Sequence, residues 1–302
     1  MALPKLETPI YETELPSTGE KIKYRPFLVK EQKLLLIAQE SKDTKETMQS
    51  MTQLIDACTF NKINTLTSPL FDIEYLFLKI REKSVGSKIT IMITCPDDNE
   101  TKVPVKMDLT DVNVQMTAGH TNEIKISKDM KIVMKYPLLS DIANVEIEGS
   151  DTSVFSILQQ CVHEIHHGDI IYHKVDMTDK DLEEFIDSFS TQQFELVTEF
   201  FETMPKLRHA VNITNPKTNV KSEVVIEGLG YGLFFSIALS HDSLFNYYKT
   251  NFALMQHHKY SLIELENMMP WEREIYIGLL EEYIKEEEKR QKQEQEKAKY
   301  AK

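Results

Sequence analysis

Polar and apolar residues alternate along Tyr11-Glu-Thr-Glu-Leu15 and again along Lys21-Ile-Lys-Tyr-Arg25. That period of two is the pattern of strands with one buried face. Pro16-Ser-Thr-Gly19 between them supplies turn chemistry, with Gly19 free to take positive φ. A hairpin is therefore predicted, its second strand ended by Pro26. From Val29 to Glu40 the period changes to that of a helix, with Leu34, Leu35, Ile37 and Ala38 as its apolar stripe. Two more helices are predicted near Thr47–Phe60 and Phe71–Lys83. After them, strands over Lys88–Thr94 and Lys102–Leu109 flank the turn Cys95-Pro-Asp-Asp-Asn99.

The same order recurs further on. Lys131-Ile-Val-Met-Lys-Tyr-Pro137 repeats the character of Lys21-Ile-Lys-Tyr-Arg-Pro26, and helices are predicted near Thr152–His167, Asp179–Ser188 and Thr191–Thr203. A second hairpin follows, in which Val211-Asn-Ile-Thr-Asn-Pro-Lys-Thr-Asn219 lies over Ile91-Met-Ile-Thr-Cys-Pro-Asp-Asp-Asn99 at a spacing of 120 residues. At that spacing Ile93/Ile213, Thr94/Thr214, Pro96/Pro216, Asn99/Asn219, Val105/Val225 and Leu109/Leu229 are identical. The pattern reads as an internal duplication, the alternative being two unrelated hairpins obeying the same turn rules. Residues 231–265 then read as helical and apolar. Pro270–Ile284 is the clearest helix in the chain, with Pro at its first position and Glu272 and Glu274 near the positive end of its dipole.

The expected fold is α+β: two tandem related units of helices plus β-hairpins, 1–120 and 121–230. An all-α C-terminal region, 231–284, and a charged helical or disordered tail, 285–302, complete the chain. Trp271, Ile275, Tyr276, Leu279 and Tyr283, with Leu280 and Ile284, form one apolar face on the last strong helix. Either the helices at 231–265 cover that face, or a partner's groove does.

Chemistry-bearing motifs are few. His163-Glu164-Ile165-His166-His167 formally matches H-E-x-x-H, which on a helix places two imidazoles one turn apart with a glutamate as base. The extended zinc-protease pattern needs Gly where Ile170 stands, and Gly168-Asp169 reads as a helix stop. Cys161, His163 and His167 are thus the nearest candidates for metal ligands, with His173 beyond them, and a zinc-dependent hydrolase on His163, Glu164 and His167 is the alternative function. Paired cysteines of a zinc knuckle are missing: Cys95 stands alone, and Asn215 holds its repeat-equivalent position. Gly228-Leu-Gly-Tyr-Gly232 lacks the Lys-Ser/Thr of a phosphate loop, so no catalytic residue and no cofactor is expected.

Composition narrows the classes further. With 41% hydrophobic and 27% charged residues, the 302-residue chain has material for a real core. Its 48 acids exceed its 35 bases, a net charge of −13 that repels a phosphate backbone, so nucleic acid is not an expected partner. Residues 281–302 hold seven acids and seven bases, which cancel, so the whole −13 resides in residues 1–280. Three widely spaced cysteines suit a reducing compartment, and the start lacks an apolar core of signal-peptide length. The most apolar run, Leu229–Leu239, is half the roughly 20 residues of a membrane span. A soluble intracellular protein is expected.

Three strings are not forced by periodicity: Leu3-Pro-Lys-Leu-Glu-Thr-Pro-Ile-Tyr11, Lys21-Ile-Lys-Tyr-Arg-Pro-Phe-Leu-Val-Lys-Glu-Gln-Lys33 and Phe201-Glu-Thr-Met-Pro-Lys-Leu-Arg-His209. In them the chain, over roughly residues 1–230, resembles the baseplate hub proteins of T4-type contractile-tailed bacteriophages. Met269-Pro-Trp-Glu-Arg-Glu-Ile-Tyr276 is similar to C-terminal regions of phage tail-assembly proteins, including chaperones that hold a tape-measure protein. The resemblance implies a non-enzymatic role, as chaperone or structural subunit, with other hub proteins and the tape-measure protein as partners and oligomeric assembly allowed. It also implies a place in the host cytoplasm during assembly and in the virion tail baseplate. Some members of that family carry paired cysteines at the second hairpin turn, where this chain has Asn215 and Thr218.

Overall fold

The computed structural model describes residues 8–41, 43–143, 152–227 and 242–300. Strands β1 (Tyr11–Glu14) and β2 (Lys21–Tyr24) form the expected antiparallel hairpin, closed by Gly19 at a φ of 71°. Helices α1 (Val29–Ser41), α2 (Thr44–Cys58) and α3 (Leu70–Ser84) follow, then the hairpin β3 (Lys88–Thr94)–β4 (Lys102–Asp108). Beyond the short β5 (Asn113–Gln115), strands β6 (Glu123–Lys125) and β7 (Met130–Met134) lead into α4 (Leu139–Ala143) and α5 (Thr152–Cys161).

The predicted helix Thr152–His167 stops at Cys161 and continues as strand β8 (Val162–His167), paired with β7 on one side and β9 (Ile170–His173) on the other. Gly168-Asp169, expected to stop a helix, is the two-residue turn of that hairpin, with Gly168 at a φ of 59°. β-Branched Val162, Ile165, Ile170 and Ile171 favour the pleated surface, and Val162 and Ile165 are buried on it. Helices α6 (Asp179–Asp187) and α7 (Thr191–Thr203) each start from a reciprocal capping box, at Thr178/Asp181 and Ser190/Gln193. The long hairpin β10 (Lys206–Thr214)–β11 (Lys221–Glu227) comes next, with β5 on the outer edge of β10. Among the described residues every sheet is antiparallel and small, and the fold is α+β as expected.

Two cores divide these elements, and the division does not follow the sequence. The first gathers α1–α3, β1–β4, Leu139, and also Leu207, Val211, Ile213 and Ile226 of the second long hairpin. The second lies among β6–β8 and α5–α7. Tyr136 touches both, edge-on to Phe71 at 5.3 Å and stacked on Phe200 at 6.0 Å. In α1 the buried side differs from the predicted stripe: Leu35, Leu36 and Ala38 are inside while Leu34 and Ile37 face water.

The repeated pattern has a hydrogen-bonded counterpart. The Arg25 N–H donates to the Cys58 carbonyl at 2.9 Å, and the Lys135 N–H donates to the Cys161 carbonyl at 2.7 Å. Arg25 pairs with Glu31, which also accepts from the Leu28 N–H, just as Lys135 pairs with Asp141, which accepts from the Leu138 N–H. In each copy a strand ends, an acid three residues into the next turn caps it, and a helix ending in a fully buried cysteine closes the unit.

The two long hairpins match through Asn99 and Asn219, which take φ values of 54° and 60° and donate back to Cys95 and Asn215. After that the match slips by one residue: Thr94 pairs with Lys102, whereas Thr214 pairs with Lys221. The Cys95 N–H meets the Thr101 carbonyl where the Asn215 N–H meets that of Val220, so Glu100 is an extra turn residue. Val105 is consequently equivalent to Val224 in register, and the identity with Val225 is coincidental; Leu229 lies outside the described residues.

The two turns are clasped by buried Asn215, whose amide donates to Asp97 at 3.0 and 3.1 Å and to Asp98 at 3.0 Å. Hydrogen bonds from Thr218 and Asn215 hold the Asp97 carboxyl below the usual range, and those from Thr101 and Glu100, with Asn215, do the same for Asp98. Asn215→Ala leaves both carboxylates short of a donor, and a lower unfolding midpoint by several degrees is expected in thermal denaturation.

Glu74 on α3 is fully buried with one oxygen unpartnered, and burial pushes its carboxyl up to about 8 from 4.5. The folded state holds this proton more tightly than the unfolded chain does. The associated stability is full below about pH 4.5 and is lost as pH rises to about 8. Glu74→Gln should therefore flatten the fall in denaturation midpoint across that window, a slope of up to roughly 1.4 kcal/mol per pH unit. An unchanged slope in the variant would contradict the assignment.

Candidate functional site

After β11 the described chain resumes at Asp242 with α8 (Leu244–His258), α9 (Leu262–Glu266) and α10 (Pro270–Tyr300). Ser243 and Ser261 cap the first two through their hydroxyls, and Lys259 ends α8 in the left-handed conformation. The segment 228–241, with the glycine-rich run and the whole apolar run Leu229–Leu239, lies outside the described residues. α10 runs unbroken to Tyr300 and so carries the charged stretch after Ile284 as helix. These helices dock on α1 through a small core of Val29, Leu36 and Tyr247. The Val29 N–H to Met268 carbonyl bond, 2.9 Å, and the ion pair Lys33–Glu266 at 3.4 Å tie them there.

Arg273 fixes the orientation of α10. Only 2% exposed, its guanidinium reaches Asp242 at 3.5 Å, donates to Asn251 at 3.2 Å and lies over the Tyr247 ring at 5.3 Å. A buried cation of this kind is tolerable only with such partners. With Arg273 turned inward and Ile277 and Leu280 half-buried beside it, the opposite side of the helix is forced outward. Trp271 (39% exposed), Ile275 and Leu279 (57%) lie there, and Tyr276 and Tyr283 (60%) are exposed along its flank. The helix is thus apolar on both sides over Pro270–Ile284, a composition that suits burial between two surfaces. Fully covering one such side chain is worth about 1.5–3 kcal/mol.

Gly278 sits on the edge of this outward face. Inside a helix glycine costs about 1 kcal/mol relative to alanine. A Cβ placed there would meet no atom within 4 Å among the described residues, so nothing among them requires the glycine. Beyond Ile284 the apolar face ends, and Lys285–Glu281, Arg290–Glu287 and Arg290–Glu294 pairs line the exposed helix.

A second exposed stripe was missed in the sequence. Phe245, Tyr248, Phe252 and Met255 are all exposed on α8 at heptad spacing, while Tyr247, Asn251 and Leu254 are buried on its other side. The spacing i, i+3, i+7, i+10 was the available signal.

Of the metal candidates, His163 and His173 gather on Glu164, but not as a ligand set. On strand β8, His163 and His167 are four residues apart, about 13 Å along an extended chain, so the one-turn spacing required by the hydrolase reading is not formed. His163 is the bulge residue, since Met134 pairs with Val162 and Val133 with Glu164. Cys161 is buried at the end of α5, and burial pushes its thiol up. Glu164 instead takes His166 at 2.8 Å and His173 at 3.2 Å, with His163 at 3.7 Å; these imidazoles, His166 first, hold its carboxyl below the usual range. Among the described residues no group of three or more His, Cys, Asp or Glu is arranged to hold a metal ion. A cleft of about 540 Å³ beside β6 and α7 contains His120, hydrogen-bonded to Thr203 at 3.0 Å and stacked on Tyr136, with burial pushing its imidazole pKa down. Among the described residues no helix is long and apolar enough to cross a membrane.

Comparison with known proteins bears on the whole of this architecture. Residues 238–285 match the baseplate hub assembly protein Gp51 C-terminal domain, a span that ends where the outward apolar face of α10 ends. Residues 8–232, the two cores and their hairpins, match the T4 bacteriophage base plate protein family. No curated protein and no solved structure matches the chain. With three quarters of its length inside that family's bounds and an assembly domain adjoining it, the chain belongs to the T4 bacteriophage base plate protein family and serves phage baseplate assembly.

Proposed function

We propose that the chain is a non-enzymatic assembly factor of the baseplate hub, and that it works by presenting the outward face of α10 to another hub protein or to the tape-measure protein. The observation that carries this reading is the double-sided helix. Arg273 commits one side to the chain's own core and leaves Trp271, Ile275, Tyr276, Leu279 and Tyr283 uncovered. A monomer gains nothing from that arrangement, whereas a partner surface gains a row of large apolar anchors.

The chaperone role fits better than permanent residence. A chaperone binds through an accessible face and leaves, and this face adjoins a charged helical extension, five acids and seven bases over 285–302, that is exposed over 288–294. Assembly in the host cytoplasm follows from that role. We also propose that 1–120 and 121–230 are units of descent rather than of packing, because the Arg25 and Lys135 connections repeat while the second long hairpin packs into the first core. The helical region 231–284 and the charged stretch 285–302 are then the appended assembly segment.

Trp271→Ala and Leu279→Glu should abolish co-purification of hub or tape-measure protein from cells expressing the baseplate genes. Folding stability should stay within about 0.5 kcal/mol for Leu279→Glu, as for exposed positions generally. Equal loss of capture and stability would place the face in the core. Counting this protein in mature particles separates the roles: a chaperone is absent, and a defined copy number per tail would make it a structural subunit.

A further inference from the structure

Resting on that docking reading, we infer that the outward face of α10 takes a basic amphipathic helix, seated closest to α10 at Gly278. The charges around the face point to this class of partner. Between Pro270 and Ile284 the only base is Arg273, which is buried and directed at Asp242 and Asn251, with Glu274 at 4.0 Å. The acids there are Glu272, which accepts from the Met269 N–H, and Glu274, Glu281 and Glu282. Lys285 reaches Glu281 only at 3.9 Å, with both side chains well exposed.

Glu274, Gly278, Glu281 and Glu282 fall at i, i+4, i+7 and i+8, and so run along one edge of the apolar face. Lys or Arg flanking the apolar stripe of an incoming helix would meet them in register, while its backbone could approach over the missing Cβ of Gly278. The acidic body, −13 within residues 1–280, attracts a basic segment at longer range.

A second copy of this chain fits less well. An antiparallel two-fold pairing that sets Trp271 across from Tyr283 and Ile275 across from Leu279 brings Glu272 opposite Glu282 twice. A parallel pairing sets every glutamate beside its own copy. Both arrangements stack like charges on the rim of the apolar contact.

Trp271 is the chain's single tryptophan, so its fluorescence reports on this face directly. The test titrates the full chain with two synthetic amphipathic helices of identical apolar face, one flanked by Lys and one by Glu. The Lys-flanked peptide should shift Trp271 emission to shorter wavelength and bind roughly tenfold more tightly, with affinity falling as salt is raised. The triple change Glu274→Gln, Glu281→Gln, Glu282→Gln should erase that preference, and Gly278→Leu should weaken the Lys-flanked peptide without lowering the melting temperature. Equal binding of both peptides, tighter binding of the Glu-flanked one, or binding of neither overturns the inference. So does a Trp271 shift that follows protein concentration alone, which would assign the face to a second copy. The docking reading itself is judged separately, by capture of hub or tape-measure protein in Trp271→Ala.

Discussion

One buried guanidinium decides which side of the C-terminal helix α10 faces water. Arg273 cannot remain inside without Asp242, Asn251 and the Tyr247 ring, and those partners lie on one side of α10. With the guanidinium held there, five large apolar side chains of the helix remain exposed. The surface is thus a consequence of an internal polar contact.

The rest of the molecule is a platform for that arrangement. Two copies of a strand, an acid-capped turn and a cysteine-ended helix are recognisable in their hydrogen bonds, through Arg25–Glu31 and Lys135–Asp141. Their long hairpins lie together, clasped by Asn215 on Asp97 and Asp98 at the turns. The main core therefore draws on both long hairpins, while β6–β8 and helices α5–α7 form a second core joined through Tyr136. The α8–α10 helices dock on α1, at a distance in sequence from the hairpins.

Much of this was legible in the residues. Alternation at Tyr11–Leu15 and Lys21–Arg25, turn residues at Gly19 and Asn99, and the 3.6-residue period of Pro270–Ile284 each fix local structure by themselves. The failures have physical causes. At Val162–His167 a helix-compatible string became a strand because β7 and β9 supply pairing on both sides, a tertiary effect that overrides local preference. The stripe of α1 was misassigned because α8 and the first core set which side is buried. Which side of α10 faces outward was also beyond periodicity, since that helix is apolar on both, and only the partners of Arg273 resolve it.

On our proposal, the outward face of α10 contacts a baseplate component during assembly. Photo-cross-linking tests it most directly, with a benzophenone amino acid at Leu279 and, as control, at Val175, which is 90% exposed far from α10 in sequence. In cells expressing the baseplate genes, position 279 should give a discrete cross-link to a hub or tape-measure protein and position 175 should give none. Equal cross-linking at both positions, or a product at 175 alone, would mean that α10 is not the docking face.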